Sequence, residues 1–170
     1  MSDTRPQFSE RKTLGVHIGI ALLVLVLDQF TKAIALTSLE PFKPLPITEF
    51  LNLYLVFNKG AAFGFLASSD IDANALFLFV NVGILALLLY ILWLSRPGRS
   101  QAVTGIWLII GGAVGNLLDR VAHGHVVDFL DFHYAGWHYS TFNLADACIT
   151  TGAVLIALEI FKLRLLFRRG

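Results

Sequence analysis

Charged residues are scarce in this chain. Asp, Glu, Lys and Arg together make up 15% of its 170 residues, against about 25% in ordinary soluble domains. Apolar residues account for 56% of the sequence, and the mean hydropathy is +0.69. A small soluble domain cannot bury that much apolar surface away from water. The composition therefore excludes an ordinary soluble protein and favours one that lies largely within a lipid bilayer.

Cysteine and several catalytic motifs are also missing. Cys148 is the only cysteine, so no disulfide can form within the chain, and its apolar surroundings predict an inert thiol. The chain has no HExxH motif for a zinc peptidase and no GxSxG motif for a serine hydrolase. A metal site remains conceivable in one loop, which carries His123, His125, His133 and His138. Imidazoles at a membrane interface more often form ordinary hydrogen bonds, so we expect neither a metal ion nor another cofactor.

Four windows are long and apolar enough to be transmembrane helices, which need about 20 residues. The first of them could instead be a cleaved signal peptide, because basic residues precede it. Its apolar stretch is long for that purpose, and Asp28 and Lys32 interrupt its far end. We therefore predict one integral-membrane domain over residues 1–170, with spans at about 14–36, 73–94, 102–121 and 142–161.

The basic residues predict the orientation. Nine of the 13 Lys and Arg residues lie in the two tails or in the short turn between the second and third spans, which an even number of spans places on one side: Arg5, Arg11, Lys12, Arg96, Arg99, Lys162, Arg164, Arg168 and Arg169. The positive-inside rule makes that side cytoplasmic. Both termini are then cytoplasmic, and the segments on the other side are extracytoplasmic. We expect contact with membrane lipids, no nucleic-acid partner and a monomer.

The segment between the first two spans has a different pattern. Pro41, Pro44 and Pro46 prevent a helix at its start. The sequence ITEFLNLYLVF that follows is rich in aromatic and β-branched residues, which indicates strands. We predict a β segment at about 40–68, and hence a four-helix transmembrane bundle with a small extracytoplasmic β-sheet between helices 1 and 2.

Several polar residues fall inside the predicted spans, where they are costly and are therefore functional candidates. Asp28 and Lys32 are four residues apart and can pair on one helix face. Asn116, Asp119 and Arg120 lie near the outer end of the third span. Glycines in that span, at 105, 111, 112 and 115, favour close helix packing over any chemical role.

Two aspartates have a spacing that allows chemistry. Asp146 lies near the start of the fourth span, three residues after Asn143, and could simply compensate the helix dipole. Asp128 lies in the loop after the third span, and that loop can fold back to bring it to Asp146. Two adjacent carboxylates share a proton, so that one can activate water while the other polarises a carbonyl. Asp131, in contrast, is expected to face water or cap a turn.

One hypothesis from another class stays open at this point. The intramembrane residues Asp28, Asp128 and Asp146 could form a proton relay in a small proton-coupled transporter. Many such transporters contain inverted repeats, and none stands out in this sequence.

Five short sequences, in this order and at these spacings, resemble bacterial lipoprotein signal peptidase (signal peptidase II). They are DQFTK at 28–32, NKGAAFG at 58–64, GNLLDR at 115–120, VVDF at 126–129 and FNLADA at 142–147. The resemblance covers nearly the whole chain.

The resemblance implies an aspartic endopeptidase of the bacterial inner membrane with its active site at the periplasmic face. The implied substrate is a diacylglyceryl-prolipoprotein, cut just before the lipidated cysteine, and an implied inhibitor class is cyclic peptide antibiotics such as globomycin. The implied catalytic residues are Asp128 and Asp146. The implied supporting and substrate-binding residues are Asp28, Lys32, Asn58, Gly60, Asn116, Asp119, Arg120 and Asn143.

Overall fold

The computed structural model describes residues 5–60, 73–94 and 100–167, with side chains described from 13, from 74 and up to 162. Four helices carry most of the chain: α1 (Arg5–Ser38), α2 (Ala73–Leu94), α3 (Gln101–His123) and α4 (Leu144–Phe167). Each contains a stretch long and apolar enough to cross a membrane. The helix α2 coincides with the predicted span, and α4 begins two residues after its predicted start.

The bundle is built around α3, which packs against all three other helices. Its glycines allow this, because a methyl group on Gly105 or Gly112 would collide with the α4 backbone, and one on Gly111 would collide with α1. The prediction that these glycines serve close packing is confirmed. Ser100 caps the start of α3, and Gly124 ends it in the left-handed conformation at φ 73°.

A four-stranded antiparallel sheet lies outside the spans, in the order β1 (Leu45–Pro46), β2 (Leu51–Asn58), β3 (Val126–Tyr134) and β4 (Trp137–His138). The fold class predicted from the sequence is confirmed. Only half of the sheet comes from the segment between α1 and α2, however, because β3 and β4 come from the α3–α4 connection, for which the sequence pattern predicts a loop. Residues 61–68 of the predicted β segment lie outside the described residues.

Apolar contacts and a hydrogen bond from the start of β3 join the sheet to the bundle. Leu55, Val127 and Phe129 form a buried cluster with Ala35 near the end of α1. The carboxylate of Asp119 on α3 accepts a hydrogen bond from the backbone N–H of Val127 at 3.1 Å. The start of β3 is therefore held against the end of α3, which determines where Asp128 lies.

Candidate active site

Asp128 lies on β3 and is almost completely buried, with 1% of its surface exposed. Both of its oxygens accept hydrogen bonds from amide side chains. Asn58, at the end of β2, donates to Oδ2 at 2.9 Å, and Asn143 donates to Oδ1 at 2.8 Å. The side chain is thus held from two directions by residues 70 and 15 positions away.

Asp146 lies in the first turn of α4, where it takes part in capping the helix. The side-chain oxygen of Asn143 accepts from the N–H of Asp146 at 2.9 Å, and Oδ2 of Asp146 accepts in return from the N–H of Asn143 at 3.3 Å. This reciprocal pair is a capping box, so Asp146 does have the helix-start role that the sequence allowed. Its other oxygen, Oδ1, accepts from the side chain of Asn116 at 2.8 Å.

Asn143 connects the two carboxylates. Its side-chain NH₂ group donates a hydrogen bond to Asp128. Its side-chain carbonyl oxygen accepts from the backbone N–H of Asp146, and its backbone N–H donates to the Asp146 carboxylate. Asn116 completes the connection from α3, because its Oδ1 accepts from the Asn143 amide at 3.1 Å while its own amide reaches Asp146. The two carboxylates therefore share one hydrogen-bond network.

The charge state of Asp128 is unusual for an aspartate. Burial raises its pKa and so does the negative charge of Asp146, whereas the hydrogen bonds from Asn58 and Asn143 and the charge of Lys32 lower it. Together these effects raise the pKa of Asp128 to about 7. An aspartate with such a pKa holds its proton over much of the range below neutrality. This is the condition under which a pair of carboxylates can act as acid and base.

A buried cation lies beneath this network. The ammonium group of Lys32 forms ion pairs of 2.8 Å with Asp28 on its own helix and with Asp119 on α3. It also donates to Oδ1 of Asn116 at 2.9 Å. The predicted pairing of Asp28 with Lys32 is confirmed, and Lys32 additionally orients the amide that reaches Asp146.

Asp28 and Asp119 each accept a hydrogen bond from a backbone N–H group. Oδ1 of Asp28 accepts from the N–H of Ala145 at 2.9 Å, in the first turn of α4. Gly115 is adjacent, and a methyl group added to it would collide with Oδ2 of Asp28. Asp119 accepts a hydrogen bond from the N–H of Val127 on β3. Asp28 therefore helps to position the segment that carries Asp146, and Asp119 helps to position the segment that carries Asp128.

Two predicted residues lie at the edge of the network. The carbonyl oxygen of the Asn58 side chain accepts from the N–H of Gly60 at 2.8 Å. Gly60 has φ 98°, a conformation that other residues rarely adopt, and a side chain there would collide with Phe77 of α2. Arg120 also faces α2, where its guanidinium lies 4.9 Å from the ring centre of Phe77 and 3.4 Å from the side chain of Asn74.

The expectation that Asp131 faces water or caps a turn is wrong. Only 3% of its surface is exposed. It accepts from the amide of Asn52 at 2.9 Å and contacts Nδ1 of His138 at 3.0 Å. Burial raises the pKa of Asp131, but these partners outweigh burial and hold that pKa below the usual value. The cross-strand pairing of β2 with β3 brings Asn52 opposite Asp131 and causes this burial.

Gln29 belongs to the network and was missed. Its side-chain amide contacts Asp28 at 3.2 Å, Asp119 at 3.0 Å and the carbonyl oxygen of Gly115 at 3.2 Å. Its position directly after Asp28 inside an apolar span was the signal that could have identified it.

The four histidines form two pairs instead of one cluster. The rings of His123 and His125 are 5.9 Å apart, and those of His133 and His138 are stacked at 5.1 Å. Within the described residues, no three His, Cys, Asp or Glu side chains are placed to share a metal ion. The hypothesis of a four-histidine metal site therefore has no geometric support there.

Two cavities lie near these residues. One, of about 290 Å³, is lined by Asp146, Ala147 and Thr150 of α4 together with Tyr139 and Phe142. A larger one, of about 490 Å³, is lined by Pro44, Asn52, Tyr54, Asp131, His138, Tyr139, Ser140 and Thr141. Tyr139 lines both cavities.

Comparison with known proteins identifies similar sequences and folds. A family model described as signal peptidase (SPase) II matches residues 20–162. The lipoprotein signal peptidase of Paraburkholderia phytofirmans is 43% identical over 161 residues, which cover 94% of this chain and 92% of that protein. The lipoprotein signal peptidase of Janthinobacterium sp. (strain Marseille) is 42% identical over 156 residues, which cover 91% and 93%.

Two solved structures of bacterial membrane enzymes have a similar fold. One has a TM-score of 0.75 and 33% identity, covering 87% of this chain and 88% of that one. The other has a TM-score of 0.75 and 31% identity, covering 87% and 94%.

Proposed function

Because this chain belongs to the signal peptidase II family, we propose that it removes the signal peptide from diacylglyceryl-modified prolipoproteins, with Asp128 and Asp146 as its catalytic pair. The family membership makes it a peptidase, and with the four apolar helices it makes the chain a multi-pass bacterial membrane protein. The family membership does not favour the hypothesis of a proton-coupled transporter.

The observation that carries the proposal is the link through Asn143. One amide side chain joins Asp128 and Asp146 in a buried network of carboxylates, amides and Lys32, and no serine or cysteine is among the side chains described in it. Two carboxylates that influence each other's charge are sufficient to activate water without a covalent intermediate. An aspartic mechanism uses the residues of the network as they stand.

The two carboxylates take different roles in this proposal. Asp146 lies at the positive end of α4 and accepts hydrogen bonds from Asn116 and the backbone of Asn143, all of which favour a charged carboxylate. Asp128, with its raised pKa, holds the proton. Asp146 then removes a proton from water, whose oxygen attacks the scissile carbonyl carbon, while the carboxyl group of Asp128 donates its proton to the carbonyl oxygen.

The tetrahedral intermediate decomposes by the reverse proton movements. Asp128 recovers its proton from the hydroxyl group as the carbonyl re-forms, and Asp146 donates the proton that it took from water to the departing amine. The C–N bond breaks, and the products are the free carboxyl end of the signal peptide and the free amino group of the lipidated cysteine. Both carboxylates return to their initial state.

The position of the site suits a substrate anchored in lipid. The cavity at Asp146 extends along α4 to Thr150, inside a span, whereas Asp128 lies on a strand outside the spans. The acyl chains of a lipidated precursor can stay in the bilayer while its scissile bond reaches the carboxylates. With the basic segments on the cytoplasmic side, this end of the bundle faces the periplasm.

The proposal is tested with the purified protein in detergent and two synthetic precursors that differ only in the diacylglyceryl group on the cysteine. We expect cleavage of the lipidated precursor only. The mass of the product should be that of the peptide whose first residue is the lipidated cysteine. A chelator should leave the rate unchanged. Cleavage at another bond, equal cleavage of both precursors, or loss of activity with the chelator would contradict it.

A further inference from the structure

Asp131 and His138 form a second buried polar site, separate from the Asp128–Asp146 pair. Asp131 and Asn52 lie directly opposite each other on β3 and β2, and His138 on β4 adds its Nδ1 at 3.0 Å. Since Nδ1 is engaged by the carboxylate, Nε2 is the His138 nitrogen left for a ligand. These three residues line the cavity of about 490 Å³, which we call the Asp131 pocket.

Two polar groups of the Asp131 pocket can reach a ligand, namely the Asp131 carboxylate and the ring of His138. The ring of His133 stacks on that of His138 from outside the pocket lining, and its Nε2 is buried with no hydrogen-bond partner among the described residues. The carboxylate of Asp131 is charged at neutral pH, because its partners hold its pKa below the usual value. The site therefore carries a nearly buried negative charge beside an open cavity.

The Asp131 pocket shares the lining residue Tyr139 with the cavity at Asp146. Asp128 and Asp131 are three residues apart on β3, about 10 Å at about 3.3 Å per residue, and they face opposite sides of the strand. The chain at 139–142 pairs with β3 on the side away from β2, and Tyr139 lines both cavities. A polypeptide that occupies both cavities therefore passes Tyr139.

The two cavities extend in different directions from the carboxylate pair. The one at Asp146 follows α4 into the span, where an apolar signal peptide would lie. The Asp131 pocket is bounded by strands and by residues 138–141, all outside the spans. The part of the substrate that lies outside the membrane is the polypeptide after the lipidated cysteine.

We infer that the Asp131 pocket binds the segment that follows the lipidated cysteine and selects side chains that donate hydrogen bonds or carry a positive charge, an inference that rests on the proposed function. Because Asp128 and Asp131 face opposite sides of β3, the segment has to pass around the chain at 139–142, and more than the three residues of the direct distance are needed. Selection is therefore strongest beyond the third residue after the cysteine, and an acidic side chain there is disfavoured by Asp131.

The test uses sets of three lipidated precursors that differ only in the fourth, fifth or sixth residue after the cysteine, which is Lys, Ser or Glu. In at least one set we expect the protein to cleave the Lys precursor with a kcat/KM about tenfold above that of the Glu precursor, as one buried charge allows. In Asp131→Asn the ratio for that set falls to about twofold or less. The ratio does not depend on how much of the variant is folded.

Two further variants complete the test. Glu40→Gln removes an exposed acid that pairs with Lys43 on the same side of the bundle, and it keeps the tenfold ratio. Ser140→Lys adds a positive charge to an exposed position at the pocket and lowers the ratio, even where Asp131→Asn is too inactive to measure. An unchanged ratio in Asp131→Asn or Ser140→Lys, or equal cleavage of the three precursors of every set by the unmodified protein, overturns the inference. Failure of the unmodified protein to cleave any of them refutes the proposed function instead.

Discussion

The side-chain amide of Asn143 donates to Oδ1 of Asp128 at 2.8 Å. The same residue is the N-cap of α4, and its Oδ1 accepts from the N–H of Asp146. One side chain thus sets the start of a transmembrane helix and the position of a carboxylate on the sheet. The structure couples the stability of α4 to the geometry of the proposed catalytic pair.

Asn143→Ser separates these two tasks. A serine retains the capping oxygen but has no amide to reach Asp128, so we expect a small loss of thermal stability and a fall in kcat of about a hundredfold. The matched control is Ser100→Ala, which removes the capping side chain of α3 far from the site. It should cost about 1 kcal/mol of stability and leave kcat unchanged. Equal activity of the two variants would contradict the role given to Asn143.

Lys32→Met should destabilise the protein strongly. The lysine side chain is 3% exposed, and its removal leaves Asp28 and Asp119 buried without their cation, at a cost of about 3–5 kcal/mol. Lys43→Met is the control, because Lys43 and Glu40 form an exposed pair of the kind that contributes little. Melting temperatures in detergent measure both. A Lys32→Met variant as stable as Lys43→Met would contradict the stabilising role given to the buried ion pairs of Lys32.

Gly115→Ala should disturb the same region from α3. The added methyl group would collide with Oδ2 of Asp28, which must move and so release Lys32 or the start of α4. We expect lower activity and a lower melting temperature. In Gly83→Ala the methyl group enters open space on α2, so this control should be neutral or stabilised by about 0.5–1 kcal/mol. A Gly115→Ala variant with full activity would show that Asp28 does not need its observed position.

Asp128 should make the stability depend on pH. Its pKa is about 7 in the folded protein and 3.8 as the ordinary reference, so between about pH 4 and pH 7 the folded state binds the additional proton. Stability must therefore fall as pH rises through this window, by about 1.4 kcal/mol per unit at most, and level off above it. In Asp128→Asn this contribution is absent, and the decline should be shallower. Identical profiles for the two proteins would contradict the raised pKa.

The helices were predictable from the sequence because a bilayer imposes a length and a composition on each span. The predicted window 73–94 is the extent of α2 itself. The fourth window began at 142, whereas α4 begins at Leu144, since the side chain of Asn143 caps the helix. Such a boundary depends on one hydrogen bond and is not visible in hydropathy.

The second half of the sheet was not predictable in the same way. The stretch VVDFLDFHY of β3 shows no simple alternation, because Asp128 and Asp131 are buried on opposite faces of one strand. Each is buried by partners far along the chain, namely Asn58 for Asp128 and Asn52 for Asp131. Hydropathy describes local segments and contains no information on these pairings. The environment of Asp131 was therefore misjudged.

The most direct test of the account is the cleavage rate of the lipidated precursor by Asp128→Asn, Asp146→Asn and the unmodified protein, measured side by side on purified, folded samples. Each asparagine conserves the size of the side chain but cannot take a proton from water or exchange one with the carbonyl oxygen. We predict that each variant loses at least about a hundredfold in kcat, whereas Glu40→Gln, an equal change at an exposed carboxylate, cleaves at the rate of the unmodified protein. An Asp128→Asn or Asp146→Asn variant that cleaves at the unmodified rate would contradict the catalytic pair.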